Sequence, residues 1–222
     1  MNICDITRRI KLDLNADVNL SGHKFLVNVR DRTFLSEKAD KFFRVFYVGE
    51  NTRKDEQNGI VVKNASGSTV EEIIQSGVSF IEKELSVEKI VALKFSPVDI
   101  FYSACISSVF VGFPPSQIIK KNKDEHLKKS LDEFYSKEDP SYRKPIEVLY
   151  KFSTRGFIFS VGIIFGTAIK KNIFIVDNFT SSAAALMAVI LSPRVKNYIR
   201  FIGSEDLNDS ILKRLGIKSI SV

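Results

Sequence analysis

The stretch that decides the fold is residues 173–191, which read IFIVDNFTSSAAALMAVIL. The first four residues, Ile173 to Val176, are continuously apolar, which is typical of a short strand buried on both faces. Ser181 and Ser182 then open an alanine-rich run that predicts a helix. A buried strand that leads at once into a helix is one step of a parallel α/β sheet.

Similar units lie on either side of this stretch. Apolar runs predict further strands at residues 25–29, 43–48, 89–95, 198–202 and 217–222. Helical spacing or an initial proline predicts helices at residues 33–41, 69–85, 97–111, 156–169 and 204–215, with shorter ones from Pro145 and Pro193. Residues 49–59 are polar and indicate a loop. The pattern predicts an α/β fold, a Rossmann-like open, mostly parallel sheet with helices on both faces and a reduced small helical part.

Local signals sharpen three of these elements. Thr69 and Glu72 form a Thr-x-x-Glu capping box, in which each side chain satisfies an unpaired N–H of the first helical turn. Gly162 and Gly166 lie four residues apart in an apolar helix, so a neighbouring helix can pack closely against them. Gly216 stands where a left-handed residue ends a helix.

The length of 222 residues fits one domain, and we expect a single α/β domain over residues 1–222. Residues 1–43 show too little periodicity for the pattern to assign them a place in this domain. Residues 116–150 are charged, and they predict an exposed helical insertion or linker.

The composition argues against a nucleic-acid partner and a membrane partner and indicates a cytoplasmic protein. The formal net charge is +7, but the basic residues between Lys120 and Lys144 alternate with acidic ones, which favours a solvated surface over a nucleic-acid interface. The longest apolar run, residues 156–169, is shorter than the roughly 20 residues that a membrane span needs. The N-terminus lacks a secretory pattern, and Cys4 and Cys105 are isolated, so we expect a cytoplasmic protein without a membrane partner.

A candidate ligand site follows the strand at residues 173–176. In open parallel sheets, ligands bind beyond the carboxyl ends of the strands, which is where Asp177 lies. A carboxylate for a ribose hydroxyl would stand beside Ser181 and Ser182 at a helix start, whose unpaired N–H groups favour a phosphate. The alternative is that Asp177 and Thr180 only cap the helix.

Common catalytic motifs are absent from the sequence. It contains no GxGxxG, GxxxxGK[ST], HExxH or GxSxG pattern. His23 and His126 are the only histidines, and both lie in polar segments that favour a surface position. We therefore expect no cofactor and no metal.

Residues 177–186 resemble a motif of the nicotinate-nucleotide:dimethylbenzimidazole phosphoribosyltransferases of cobalamin synthesis. That family carries Asp-Gly-Phe-Ile-Ser-Thr-Ala-Ala-Ala-Leu after a strand, and this chain reads Asp-Asn-Phe-Thr-Ser-Ser-Ala-Ala-Ala-Leu. Further similarity lies at Leu191-Ser192-Pro193, at Leu215-Gly216-Ile217, at the Thr69 helix start and at Pro114-Pro115. The resemblance extends from about Arg44 to Val222.

The resemblance implies a Rossmann-like large domain with a small helical domain, and a homodimer. It also implies a reaction, in which a benzimidazole nitrogen displaces nicotinate from nicotinate mononucleotide and yields α-ribazole phosphate. A glutamate just after the family's final strand takes the benzimidazole proton. The sequence reads only to Val222, so we expect this base to be missing.

Other family motifs are replaced. The family's Glu-Met-Gly-Ile-Gly-Asn-Thr-Thr loop falls at residues 95–102, where bulky side chains and a proline stand. Its Gly-Arg-Gly-Thr-Gly segment falls at residues 120–123, which contain no glycine, and its Gly-Gly-Phe-Glu-Ile segment at residues 153–157, which lack the carboxylate. Its Ser-His-Arg-Ser-Ala-Glu segment shortens to residues 203–206. Through the resemblance, Ser204 and Glu205 become candidate nucleotide- or phosphate-binding residues beside Asp177, Ser181 and Ser182.

Three hypotheses follow from the kept core and the replaced loops. The leading one is a catalytically impaired phosphoribosyltransferase-like protein, a pseudoenzyme that retains the scaffold and binds nicotinate mononucleotide or another small nucleotide. The second is an active transferase with a different base, such as Asp99, Glu205 or Asp206. The third is a protein-interaction subunit without enzymatic activity.

Overall fold

Six parallel strands form one sheet in the computed structural model, in the order β2-β1-β3-β4-β5-β6 among the residues that the structure describes. Those residues are 2–10, 43–48, 59–62, 66–86, 90–95, 99–119, 125–138, 144–202, 212 and 215–220. The strands are β1 Phe43–Val48, β2 Gly59–Val62, β3 Ile90–Phe95, β4 Ile173–Val176, β5 Ile199–Ile202 and β6 Lys218–Ile220. The α-helices are α1 Ile3–Arg8, α2 Val70–Glu84, α3 Asp99–Val111, α4 Pro115–Ile118, α5 Glu125–Lys137, α6 Pro145–Phe152, α7 Arg155–Ile169 and α8 Phe179–Leu191. A 3₁₀ helix spans Pro193–Tyr198.

The central strands β3 and β4 are covered on both faces. They pair in parallel, with Ile90 opposite Ile173 and Ala92 opposite Ile175. All four residues of β4 are buried, as are the first four of β3. Because successive side chains of a strand point to opposite faces, a run of consecutive buried residues requires cover on both sides. The predicted fold class, an open parallel α/β sheet of the Rossmann-like kind, is confirmed.

The predicted strands at residues 43–48, 89–95, 198–202 and 217–222 correspond to β1, β3, β5 and β6. Strand β2 begins at Gly59, the last residue of the predicted loop, and was not predicted; residues 49–58 of that loop lie outside the described residues. Helix α1 lies in a segment that the pattern could not place; its Ile6 is fully buried and belongs to the core. The predictions for residues 25–29, 33–41 and most of 204–215 lie outside the described residues.

Helices α2 and α7 pack unusually closely because three glycines line their contact. A Cβ atom added to Gly162 would collide with the backbone carbonyl of Ile74 and lie 3.0 Å from the Cα of Gly77. A Cβ added to Gly166 would lie 2.8 Å from the Cβ of Ile81. The glycines let the two backbones touch, which confirms the close approach expected from residues 162 and 166.

Helices α3, α5 and α6 share an aromatic cluster that joins the small helical part to the rest of the core. The rings of Phe101 and Phe134 lie 5.3 Å apart, and those of Phe134 and Phe152 lie 6.2 Å apart. On the exposed side of α5, charges alternate: Lys128 pairs with Glu125 at 2.8 Å. The mixed charges predicted for this segment therefore lie on a solvated helix face.

Candidate functional site

The strand order changes direction beside β1, because β2 and β3 lie on opposite sides of it. Ligands of doubly wound sheets bind outside the carboxyl ends of the strands near such a point. Here β1 ends at Val48 and β3 ends at Phe95. Asp177 directly follows β4, the neighbour of β3, so the predicted site residue lies at this carboxyl edge.

The start of α8 is built around Asn178. The side-chain Oδ1 of Asn178 accepts a hydrogen bond from the N–H of Ser181 at 2.8 Å. In return, the hydroxyl of Ser181 accepts one from the N–H of Asn178 at 3.1 Å, which completes a reciprocal capping box. Helix α8 therefore begins at Phe179, and the predictions that it opens at Ser181 or is capped by Asp177 and Thr180 are wrong. The physical reason is that an asparagine in extended backbone is among the best N-caps.

The two serines predicted to face a phosphate take part in this cap. The hydroxyl of Ser181 donates to the carbonyl oxygen of Asn178 at 2.8 Å. That of Ser182 donates to the same carbonyl oxygen at 3.0 Å. Both side chains are buried. Their hydrogen-bonding capacity thus serves first the local structure of the helix start.

The Asp177 carboxyl group is partly buried beside the cap. Its Oδ1 accepts a hydrogen bond from Nδ2 of Asn178 at 2.7 Å, and the hydroxyl oxygen of Ser181 lies 3.5 Å away. Burial raises the pKa of Asp177 from its ordinary 3.8 to about 6, against the lowering effects of the Asn178 hydrogen bond and the positive charge of Lys94. The carboxyl group therefore changes its charge near pH 6.

The amide of Asn178 also connects two strands. Its Nδ2 donates a second hydrogen bond, 3.2 Å long, to the main-chain carbonyl oxygen of Leu93 in β3. The loop after β4 is in this way tied to the neighbouring strand just below the carboxyl edge.

A second group of residues fills the corner between β1, β3 and α7. The hydroxyl of Thr154 donates to Oδ1 of Asp99 at 2.8 Å and accepts from the N–H of Phe157 at 3.1 Å, so it caps α7 and holds the buried carboxyl group of Asp99. The rings of Phe95 and Phe157 lie 6.5 Å apart. Thr154 was not predicted as a site residue, although a threonine just before an apolar helical run is a recognised N-cap signal.

Gly156 brings α7 against the end of β1. A Cβ added to Gly156 would lie 3.2 Å from Cγ1 of Val48, the last residue of that strand. The first turn of α7 therefore closes the corner where the strand order changes direction. The other two predicted site residues, Ser204 and Glu205, lie outside the described residues.

Neither a metal-binding cluster nor a membrane-spanning helix is found in the part of the chain that the structure describes. No group of three or more His, Cys, Asp or Glu side chains is arranged to hold a metal ion there. No helix among the same residues is long and apolar enough to cross a membrane.

A parallel α/β sheet with a carboxylate at its carboxyl edge is typical of nucleotide-handling proteins. A family model described as phosphoribosyltransferase matches residues 100–220, more than half of the chain. The chain therefore belongs to this phosphoribosyltransferase family, and the resemblance drawn from the motifs is confirmed.

Relatives and solved structures agree with this assignment. The chain is 29% identical over 107 residues to a nicotinate-nucleotide–dimethylbenzimidazole phosphoribosyltransferase of Clostridium acetobutylicum, and the match covers 44% of this chain and 29% of that protein. A protein of the same name from Geotalea uraniireducens is 30% identical over 98 residues, covering 43% and 28%. The chain thus matches less than a third of the length of these relatives.

The likeness to solved structures concerns the fold. The crystal structure of the nicotinate-nucleotide–dimethylbenzimidazole phosphoribosyltransferase from Thermus thermophilus superposes with a TM-score of 0.62 at 14% identity, covering 80% of this chain and 60% of that one. A structure of CobT from the same organism gives a TM-score of 0.63 at 15% identity with the same coverage. The sheet and its helices are therefore those of this family.

Proposed function

We propose that the chain is a phosphoribosyltransferase-family protein that does not catalyse the transfer, and that it binds a small nucleotide such as nicotinate mononucleotide beside Asp177. The observation that carries the proposal is the filled corner between β1, β3 and α7. By the motif resemblance, a glycine-containing family loop corresponds to residues 95–102. In this chain the Phe95 ring lies against Phe157, and the buried Asp99 is hydrogen-bonded by Thr154.

The burial of Asp99, an acidic residue in this corner, supports a loss of transfer chemistry. A general base has to come within hydrogen-bonding distance of the proton that it removes. Asp99 is only 3% exposed, and its Oδ1 already accepts a hydrogen bond from the hydroxyl of Thr154. This arrangement supports the non-catalytic reading over the alternative in which Asp99 acts as a replacement base.

Asp177 is the residue that supports a retained ligand site. Its carboxylate lies at the carboxyl end of a central strand, and its partly buried position strengthens hydrogen bonds to a ligand hydroxyl. Because its pKa is raised to about 6, the group is mostly ionised, and so a pure acceptor, at pH 7.5 and above. A ribose hydroxyl fits such an acceptor.

Two measurements test the proposal. The full chain is incubated with nicotinate mononucleotide and dimethylbenzimidazole, and α-ribazole phosphate is sought by mass spectrometry beside the Clostridium acetobutylicum relative as a positive control. We expect no product from this chain. Calorimetry at pH 8 is expected to detect binding of nicotinate mononucleotide to the wild type and its loss in Asp177→Ala. Clear formation of α-ribazole phosphate would contradict the non-catalytic assignment. Equal binding of nicotinate mononucleotide by wild type and Asp177→Ala would show that Asp177 does not belong to the binding site.

We also infer a homodimer from the family resemblance. From the isolated cysteines and the charged composition, we infer a cytoplasmic protein whose residues 116–150 form a helical insertion or linker within one α/β domain. Light scattering on the purified chain is expected to give twice the mass of one copy. A monomer at all accessible concentrations would contradict the dimer. Association with a different protein from the same cell would instead favour the interaction-subunit hypothesis.

A further inference from the structure

Three of the four hydrogen-bonding positions of the Asn178 side-chain amide are used inside the protein. Its Oδ1 accepts the N–H of Ser181 at 2.8 Å. The two hydrogens of Nδ2 go to Oδ1 of Asp177 at 2.7 Å and to the carbonyl oxygen of Leu93 at 3.2 Å. The amide therefore cannot turn away without breaking contacts to three separate groups, which fixes its orientation.

The backbone at this position does not dictate the residue type. Asn178 is extended, with φ −145° and ψ 167°, a conformation open to any residue. In the motif that residues 177–186 resemble, the residue after the aspartate is glycine. A glycine at this position leaves the start of α8 possible but provides no amide group near Asp177.

The hydrogen bond from Asn178 has the same chemistry as one from a sugar hydroxyl. A carboxylate binds a ribose by accepting hydrogen bonds, and a cis-diol engages both of its oxygens at once. In this structure Oδ1 of Asp177 already accepts Nδ2 of Asn178. The amide of Asn178 thus takes one of the acceptor positions on Oδ1, and a ribose diol that engages both carboxylate oxygens competes with it for that oxygen.

We propose that Asn178 is a specificity-determining residue whose amide competes, from within the chain, with a ligand hydroxyl for Oδ1 of Asp177 and so weakens the preference of this edge for a ribose diol. The inference rests on the proposed nucleotide site. It predicts that removing the amide strengthens binding of a ribose phosphate and restores discrimination against its 2-deoxy analogue.

The test compares the full-length wild type with Asn178→Gly in calorimetric titrations with ribose 5-phosphate and 2-deoxyribose 5-phosphate at pH 8. Glycine is a tolerable N-cap, so the cap loses only a few tenths of a kcal/mol. Thr69→Gly is the matched control, because it removes the cap of α2 and leaves Asp177 and its contacts unchanged. We expect Asn178→Gly to lower the Kd for ribose 5-phosphate about tenfold, the effect of one good hydrogen bond, and the Kd for the deoxy sugar much less.

A second measurement needs no ligand. Carbon NMR of labelled aspartate follows the titration of Asp177, and its pKa is expected to rise in Asn178→Gly because a hydrogen bond to the ionised form is lost. An unchanged or lower pKa overturns the inference, as does a Kd for ribose 5-phosphate that is equal or larger in the variant. If neither protein binds either sugar phosphate while the pKa rises, the proposed function fails and the Asn178–Asp177 contact stands.

Discussion

Replacing Asp177 with asparagine should stabilise the protein at alkaline pH. Burial raises the pKa of this carboxyl group from 3.8 to about 6, so the folded state binds its proton more tightly than the unfolded state does. That stabilising contribution is fully present below pH 3.8 and is lost as the pH rises through 6. Above pH 7 the folded protein therefore carries a buried charge, and an isosteric amide removes it while its oxygen still accepts the hydrogen bond from Asn178.

The magnitude follows from the pKa shift. A difference of about 2 pKa units corresponds to about 3 kcal/mol in the free energy of unfolding once the group is ionised in both states. At pH 4.5, where only the unfolded state is substantially ionised, the same linkage gives about 1 kcal/mol. For a chain of this length, about 3 kcal/mol raises the melting temperature by roughly 6–12 °C.

Urea unfolding of wild type and Asp177→Asn at several pH values between 4.5 and 8 measures the difference directly. We expect the advantage of the variant to grow by about 2 kcal/mol across this range and to level off above pH 7. A difference that stays constant with pH, or one that favours the wild type increasingly as the pH rises, would refute the buried-charge reasoning for Asp177.

Three further predictions use other parts of the structure. Glu72→Gln should destabilise the protein at pH 7, because hydrogen bonds from Ser68 and Thr69 lower the pKa of Glu72 from 4.5 to about 2. The stabilising contribution of the ionised Glu72 is present above pH 4.5 and is lost as the pH falls through 2. The difference in urea midpoint between wild type and variant should therefore become smaller in acid. Gly162→Ala should cost about 1–3 kcal/mol in the same unfolding assay, because the added methyl group forces the backbones of α2 and α7 apart. Gly156→Ala, whose methyl group would meet only side-chain atoms, should cost less, and equal costs would argue against the close helix contact. Iodoacetamide at pH 8 should alkylate the exposed Cys4 in the folded protein and leave Cys105 unmodified, because burial raises the pKa of the Cys105 thiol to about 12. Mass spectrometry of peptides measures both modifications, and alkylation of Cys105 in the folded protein would contradict the prediction.

The elements that could be predicted from the sequence carry a local signal for each step. Strand β4 is four apolar residues between polar ones, and α2 carries its capping box and an apolar stripe. The missed elements lack such a signal. Helix α1 has only six residues, too few for a clear period, and α1 is held by the burial of Ile6 and Ile10 in the core. Strand β2 follows a polar stretch and is only four residues long.

The candidate site could be predicted only in part. The position of Asp177 follows from the end of β4, because a carboxylate after a buried strand lies at the carboxyl edge. The choice of cap could not be made, because aspartate, asparagine, threonine and serine all stand within five residues and all are good N-caps. The hydrogen bond between Asp99 and Thr154 joins residues 55 apart, a distance over which local patterns carry no information.

Two substitutions of family glycines have the same physical consequence in this chain. By the motif resemblance, Asp99 and Asn178 each stand where the family has glycine, and each makes a hydrogen bond to another element, Asp99 with Thr154 and Asn178 with Leu93. A glycine leaves backbone and neighbouring polar groups for a ligand to satisfy, whereas a polar side chain satisfies them from within the protein. Under the proposed function, each of these internal hydrogen bonds stabilises the ligand-free state, because a nucleotide that uses the same polar group has to compete with it. We therefore expect nucleotide binding at the carboxyl edge of this sheet to strengthen as those internal contacts are removed.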